Sequence, residues 1–144
     1  MLADFRQLLC QREAGAGSQV DQVLRTAQSY RGTPYRYGGT GREGIDCSAL
    51  VYNSFSSVQL LLPRTSAEQS LIGKKVGKRK LQEGDVLFFS TGKNRREINH
   101  AGIVSRREGK DIVFIHASTS KGVMEDSLDK SYWRKTYRHG RRIF

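Results

Sequence analysis

Cysteine is scarce in this chain, with two among 144 residues, Cys10 and Cys47. Two thiols cannot staple a small disulfide scaffold, and without a C-x-x-C pair they suggest neither a structural zinc site nor a thioredoxin-like redox centre. Long apolar runs are missing as well. Nothing approaches the roughly 20 residues of a membrane-spanning helix, and the N-terminal MLADFRQLLC is too short and too charged for the apolar core of a signal peptide. The expectation is a chain that either acts inside the cell or has lost a targeting segment. Cys10 follows Leu8-Leu9, a faint echo of a lipoprotein processing site. It lacks the upstream apolar segment and is expected to be an ordinary, partly buried cysteine.

Acidic residues are outnumbered: 25 Lys and Arg against 14 Asp and Glu leave a net charge of +11. The basic residues gather at 74–80, 93–96 and 134–142, a surface that draws polyanions through its long-range field without specifying a fold. Aromatic residues do not interleave with these clusters except in the tail, and no helix-turn-helix, zinc-finger or RNP pattern is present. Nucleic acid is therefore not an expected partner, and association with an anionic cell envelope accounts for the charge equally well. Internal repeats and low-complexity tracts are absent. With 37% hydrophobic and 27% charged residues, the composition is that of one globular domain with a real core.

The informative stretch is 35–55, YRYGGTGREGIDCSALVYNSF. Four glycines crowd the residues before Cys47, which makes a loop able to pass close to a ligand. After it, Ile45-Asp46-Cys47-Ser48-Ala49-Leu50-Val51 turns apolar with helical spacing, and Asp46 is a good N-cap, so a helix is predicted to begin at Cys47. Unpaired N–H groups and the positive end of the helix dipole favour the thiolate there, while the Asp46 carboxylate opposes it unless capping takes up its charge. Local residues leave two readings open, a small buried apolar cysteine or a nucleophile.

Before this stretch, residues 1–19 are expected to be a leader or linker, and residues 20–144 a single domain. Val20, Val23, Leu24 and Ala27 predict an amphipathic helix capped by Ser18 and ending before Gly32-Thr33-Pro34. Thr65 or Ser66 opens another short helix, with Glu68 reaching back to the cap. Residues 74–80 read as a basic connector or strand edge. From residue 81 the pattern turns to strands, at 85–89, 98–105, 112–116 and near 141–144, separated by Gly-containing turns. The order, helices first and an antiparallel sheet after, predicts an α+β fold.

Two of the three histidines lie in these strands. Period two puts His100 on the face of Ile98, Gly102 and Val104, and His116 on the face of Ile112 and Phe114, so a hairpin would set them against each other. A nucleophilic thiol needs a base, and the base needs a third polar group to orient it. Cys47, His100 and His116 can fill those roles in that order. Either histidine alone would read as an ordinary core or strand-end residue. His139 is assigned to a solvated basic tail without a role.

The segments GTPYRYGGTGREGIDCSALV, LPRTSAEQ, LQEGDVLFF, NHAGIV and FIHASTSKGV resemble, in order and spacing, the NlpC-type papain-like cysteine peptidases of bacterial cell walls. The resemblance runs from about Ala27 to the C-terminus. It implies a papain-like α+β domain with the nucleophile helix packed on a central antiparallel sheet, and hydrolysis of peptidoglycan stem peptides, with the bond between D-glutamate and the diamino acid favoured. It carries the nucleophile onto Cys47, the base onto His100 and the third polar residue onto His116. Tyr35 matches a tyrosine beside the thiol that assists the oxyanion, Asp46 and Ser48 match the flanks of the nucleophile, and Arg64, Thr65 and Ser66 match a segment near the substrate groove. Ala49 departs from the usual glycine, and the loops at 91–97 and 106–111 look long, which bears on groove shape. No metal or cofactor is called for. The implied partner is peptidoglycan, the expected state a monomer, and the expected location the cell envelope, periplasmic or outer-membrane associated. The rival readings are an enzyme that keeps the triad but cuts another bond, and an inactive basic module that binds wall polymer or nucleic acid.

Overall fold

Apolar spacing in the first part of the chain folds into helices. The computed structural model, which describes residues 5–144 and their side chains from residue 17 onward, opens with helix α1 (Phe5–Ser29), on which Val23 and Ala27 are fully buried. Ser18 is therefore not a cap but an interior residue of a longer helix. Gly15 and Gly17 each cost about 1 kcal/mol relative to alanine, yet no proline or turn residue joins them to stop it. The expectation for Cys10 lies outside the described side chains. No helix among the described residues is long and apolar enough to cross a membrane.

The glycine loop forms a short hairpin, β1 (Thr40–Gly41) with β2 (Gly44–Ile45), and delivers the chain to α2 (Cys47–Ser56), which starts where the Asp46 cap predicts. A short α3 (Ser66–Gln69) follows. The remaining elements are β3 (Lys74–Val76), β4 (Val86–Phe89), β5 (His100–Glu108), β6 (Asp111–Ser118), β7 (Gly122–Ser127), the helical turn α4 (Ser131–Thr136) and β8 (Tyr137–Arg142). The last six strands make one sheet in the order β3-β8-β4-β5-β6-β7, antiparallel throughout. This is the expected α+β architecture. Strand β7 and helix α4 were not anticipated, because their short polar sequences owe their structure to the neighbours they pair with and cover.

The strand expected near 141–144 is β8, which starts earlier and takes in His139, expected in a solvated basic tail, as part of an interior strand between β3 and β4. Gly140 makes this close approach workable, since a side chain there would strike Leu81. His139 consequently stacks against Phe88 and hydrogen-bonds the Ser70 carbonyl at 3.0 Å.

Two apolar layers sandwich the sheet. On one face Val86, Phe88, Ala101, Ile103, Ile115 and Ala117 pack against Leu50, Val51 and Phe55 of α2. On the other, Leu87, Phe89, Val104 and Phe114 pack with Leu128, Trp133 and Tyr137. The alternation of a strand assigns His100 and His116 to this second face, the one α4 covers.

Gly102 is the spacer that lets them meet. A Cβ at that position would stand 2.7 Å from Phe114 and 3.2 Å from the His116 Cβ, as well as 3.0 Å from the Ile115 carbonyl. Gly102→Ala is expected to lower stability by about 1–3 kcal/mol through overpacking, read by denaturant unfolding, and to displace the histidines. An unchanged midpoint would show that the space is not needed.

Candidate active site

The site grows from the first turn of α2. Asp46 accepts a hydrogen bond from the Ala49 N–H at 2.8 Å on Oδ1 and from the Gly38 N–H at 3.1 Å on Oδ2. Arg64 grips both oxygens, at 3.1 and 3.2 Å, and donates to Ser48 Oγ at 2.7 Å. Capping and ion pairing engage both Asp46 oxygens and commit the Arg64 guanidinium to the scaffold, yet the carboxylate still works to raise the Cys47 thiol. Gln69 ties α3 to α2 by donating to the carbonyls of Ser48 at 3.0 Å and Pro63 at 2.9 Å. Of the two candidate caps for α3, Thr65 performs the role, accepting from the Glu68 N–H, while Ser66 is buried beside the groove.

Cys47 meets the sheet where β5 and β6 part. Their ladder reaches Ile103 opposite Ile115, and beyond it the Asn99 carbonyl lies 3.9 Å from Cys47 Sγ while the Ala101 N–H points to the sulfur. These two residues flank His100. His100 Nε2 is 3.0 Å from His116 Nδ1, and His116 Nε2 is 2.7 Å from Asp126 Oδ2. The other Asp126 oxygen accepts from Lys130. Trp133 roofs the pair, stacked on His100 with ring centres 5.2 Å apart and set edge-on to His116 at 4.8 Å.

Burial governs the electrostatics. His116 is wholly inaccessible, and His100 and Cys47 are each 7% exposed. Burial pushes the Cys47 thiol up to about 11, outweighing the N–H groups of Ala101, Ser48 and Cys47 itself that favour the thiolate. The reactive form expected from the helix start alone is therefore not the resting form. Burial, with His116 adjacent, lowers His100 to about 3, and burial lowers His116 despite Asp126. Burial works to raise the Asp126 carboxyl, but its bonds from Lys130 and His116 hold it below the usual range. At neutral pH the resting site is a thiol, two neutral imidazoles and a carboxylate.

A groove of about 580 Å³ opens in front of the thiol, lined among others by Tyr35, Asp46, Cys47, Ser48, Arg64 and Ser66. Tyr35 is held there by a bridge to Ile45, two residues before Cys47. Burial and the nearby Cys47 and Asp46 raise its phenol above the ordinary value, so it stays a donor. A second hollow of about 420 Å³ lies on the other side of His100, bordered by Lys121, Lys130, Asp126 and Trp133.

Six of the eight residues singled out from the sequence, Tyr35, Asp46, Cys47, Ser48, Arg64 and Ser66, line the groove with Thr65, whereas His100 lines the second hollow and His116 lies buried behind it. Asn99, Asp126, Lys130 and Trp133 were missed. Asp126 pairs with Phe114 in the β6–β7 ladder, one step on the same face from the His116–Met124 pair, so only strand register brings it to the imidazole.

The chain is similar to known proteins throughout this region. The model of the NlpC/P60 family matches residues 32–142. The probable endopeptidase NlpC of Escherichia coli is 46% identical over 117 residues, covering 81% of this chain and 73% of that protein. The murein DD-endopeptidase MepS/murein LD-carboxypeptidase of the same species is 39% identical over 123 residues, 85% of this chain and 62% of that one. Among solved structures, an NlpC/P60 family protein from Bacillus cereus superposes with a TM-score of 0.77 at 29% identity, covering 86% of this chain and 40% of the other.

Two pH dependences follow from the buried groups. Between the ordinary histidine value of 6.5 and about 3, the unfolded chain binds protons that folded His100 refuses, so stability is lost as pH drops through that window. Between 9.0 and about 11 the folded chain keeps a thiol proton that the unfolded chain loses, so stability also falls as pH rises there. Iodoacetamide labelling of Cys47 is expected to accelerate about tenfold per pH unit from neutrality toward that upper value. A plateau already below pH 7 would reveal a thiolate–imidazolium pair instead.

Proposed function

The chain belongs to the NlpC/P60 family, and from that premise we propose that it is a peptidoglycan endopeptidase, a cysteine peptidase that hydrolyses stem-peptide bonds of the bacterial cell wall. The observation that carries this is a thiol at a helix start, flanked by the residues next to a buried, carboxylate-backed histidine pair, and opening on a groove.

Cys47 is the nucleophile in this reading. His100 takes its proton as the sulfur attacks the peptide carbonyl, and the new oxyanion is met by the Cys47 N–H with the Tyr35 hydroxyl. Collapse of the tetrahedral adduct breaks the C–N bond, and His100 returns the proton to the leaving amine. His100 then removes a proton from water, whose oxygen attacks the thioester, releasing the carboxylate and restoring the thiol. Asp46, Ser48, Arg64 and Ser66 shape the groove on the acyl side, and His116 orients the base.

Residues 20–144 form the catalytic unit, with residues 1–19 leading into it. The D-glutamyl to diamino acid bond is the proposed target. The envelope, on its periplasmic side or at the outer membrane, is the proposed location, and the unit acts as a monomer. A basic surface suits a carboxylate-bearing wall polymer.

The test is mass spectrometry of peptidoglycan and its muropeptides after incubation with wild type and Cys47→Ala. Wild type is expected to release products cut after D-glutamate, Cys47→Ala none, and Tyr35→Phe to cut roughly 100-fold more slowly. A cut of the DD-endopeptidase kind, the activity in the name of MepS, would change the bond but not the chemistry. Binding without cleavage by wild type would leave an inactive binding module.

A further inference from the structure

The acceptor and donor pattern behind His100 has one consistent solution. Asp126 is a carboxylate and can only accept, so at 2.7 Å the hydrogen lies on His116 Nε2. A neutral His116 then has a bare Nδ1, which at 3.0 Å can only accept from His100 Nε2–H. A neutral His100 protonated at Nε2 has Nδ1 as its one nitrogen able to take a proton. Lys130, four residues after Asp126 and immediately before α4, occupies the second carboxylate oxygen, and Trp133 of the same segment packs on both rings.

We propose that Asp126, held by Lys130, is a positioning residue that sets the tautomer of both imidazoles and so presents His100 Nδ1 as the base. The groups facing the pair are Asp126 and Lys130 from β7 and the turn after it, and the uncharged rings of Phe89, Phe114 and Trp133. The proposal rests on the peptidase reading only for its kinetic consequence, because the tautomers exist without substrate.

The structure makes the effect of a single-atom change directional. In Asp126→Asn, Lys130 can only donate and therefore holds the amide oxygen, which turns the amide NH₂ toward His116 Nε2. His116 must then carry its hydrogen on Nδ1 and donate to His100 Nε2, and His100 must carry its own on Nδ1. The chain reverses and the lone pair is lost from His100 Nδ1, the proposed base. Removing Lys130 as well frees the amide to rotate, so that its oxygen again faces His116.

The experiment is ¹⁵N NMR of histidine-labelled protein, with kinetics on soluble muropeptide dimers. Wild type is expected to show both histidines as Nε2–H tautomers. Asp126→Asn should show both as Nδ1–H, with kcat down on the order of 100-fold or more and KM little changed. Asp126→Asn combined with Lys130→Ala should recover the Nε2–H tautomers and at least tenfold in kcat. Asp126→Glu keeps an acceptor and should keep the wild-type tautomers, which carries the test if the Asn variant does not fold. An Nδ1–H His116 in wild type, unchanged tautomers in Asp126→Asn, or additive losses in the double variant would overturn the proposal. Tautomers that switch in a protein unable to cut any wall substrate would overturn the peptidase reading and leave the positioning role standing.

Discussion

The pairing of β5 with β6 is the constraint on which the rest of the site depends. A hairpin through the turn at Gly109, whose φ of 61° suits glycine, sets His100 and His116 on one face of the sheet. The absence of a side chain at Gly102 then leaves room for the second ring and for Phe114 beneath it. A shift of one residue in either strand would send its imidazole to the α2 face, into the layer of Ile103 and Ile115, and part the two rings. Strand pairing therefore does for His100 and His116 what a helix start does for Cys47. The point where the β5–β6 ladder ends is also where Cys47 reaches the backbone beside His100.

How much of this was legible in the chain depended on how local its causes are. The Asp46 cap and the helix starting at Cys47 were readable because the cap bond spans three residues, Asp46 to Ala49. The facing of His100 and His116 followed from period-two alternation and a turn signal between two strands. Asp126 was not readable: within GVMEDS it looks like one of two solvent-facing acids, and only its register against Phe114 brings it to His116. His139 was misread for the same reason. Surrounded by Arg and Lys it resembles a tail, yet Gly140 and the pairing with β4 draw it into the sheet. The state of the thiol was half legible, since the helix start is visible in the sequence and the burial that outweighs it is not.

Arg64 shows a similar displacement of role. A basic residue lining a groove invites the reading of a substrate clamp, but its guanidinium already serves both oxygens of Asp46 and the Ser48 hydroxyl. Its side chain is 38% exposed, so the ion pair itself is screened and modest in energy. The geometric effect is larger than the energetic one. Arg64, Asp46 and Gln69 together fix the glycine loop, α3 and the first turn of α2 as one rigid frame around the thiol, and within that frame a displaced reacting atom is costly to the rate.

The reacting thiol and imidazoles rest uncharged, and the buried charges of the site sit beside them as paired carboxylates, a distribution that fits acyl transfer. Neutral thiol and neutral imidazoles are far less costly to bury than an ion pair. The carboxylates of Asp46 and Asp126 are the exceptions, compensated by Arg64 and by Lys130 at the rim. In the proposed reaction, as His100 takes the Cys47 proton, a positive charge appears on His100, with Asp126 behind His116. A negative charge appears on the substrate oxygen, where the start of α2 and the Tyr35 hydroxyl lie. The fixed dipoles and charges are therefore arranged for a charge separation that the resting state lacks, so they stabilise the transition state more than the ground state. The raised thiol and lowered imidazole are consequences of the same burial that makes those fixed groups effective.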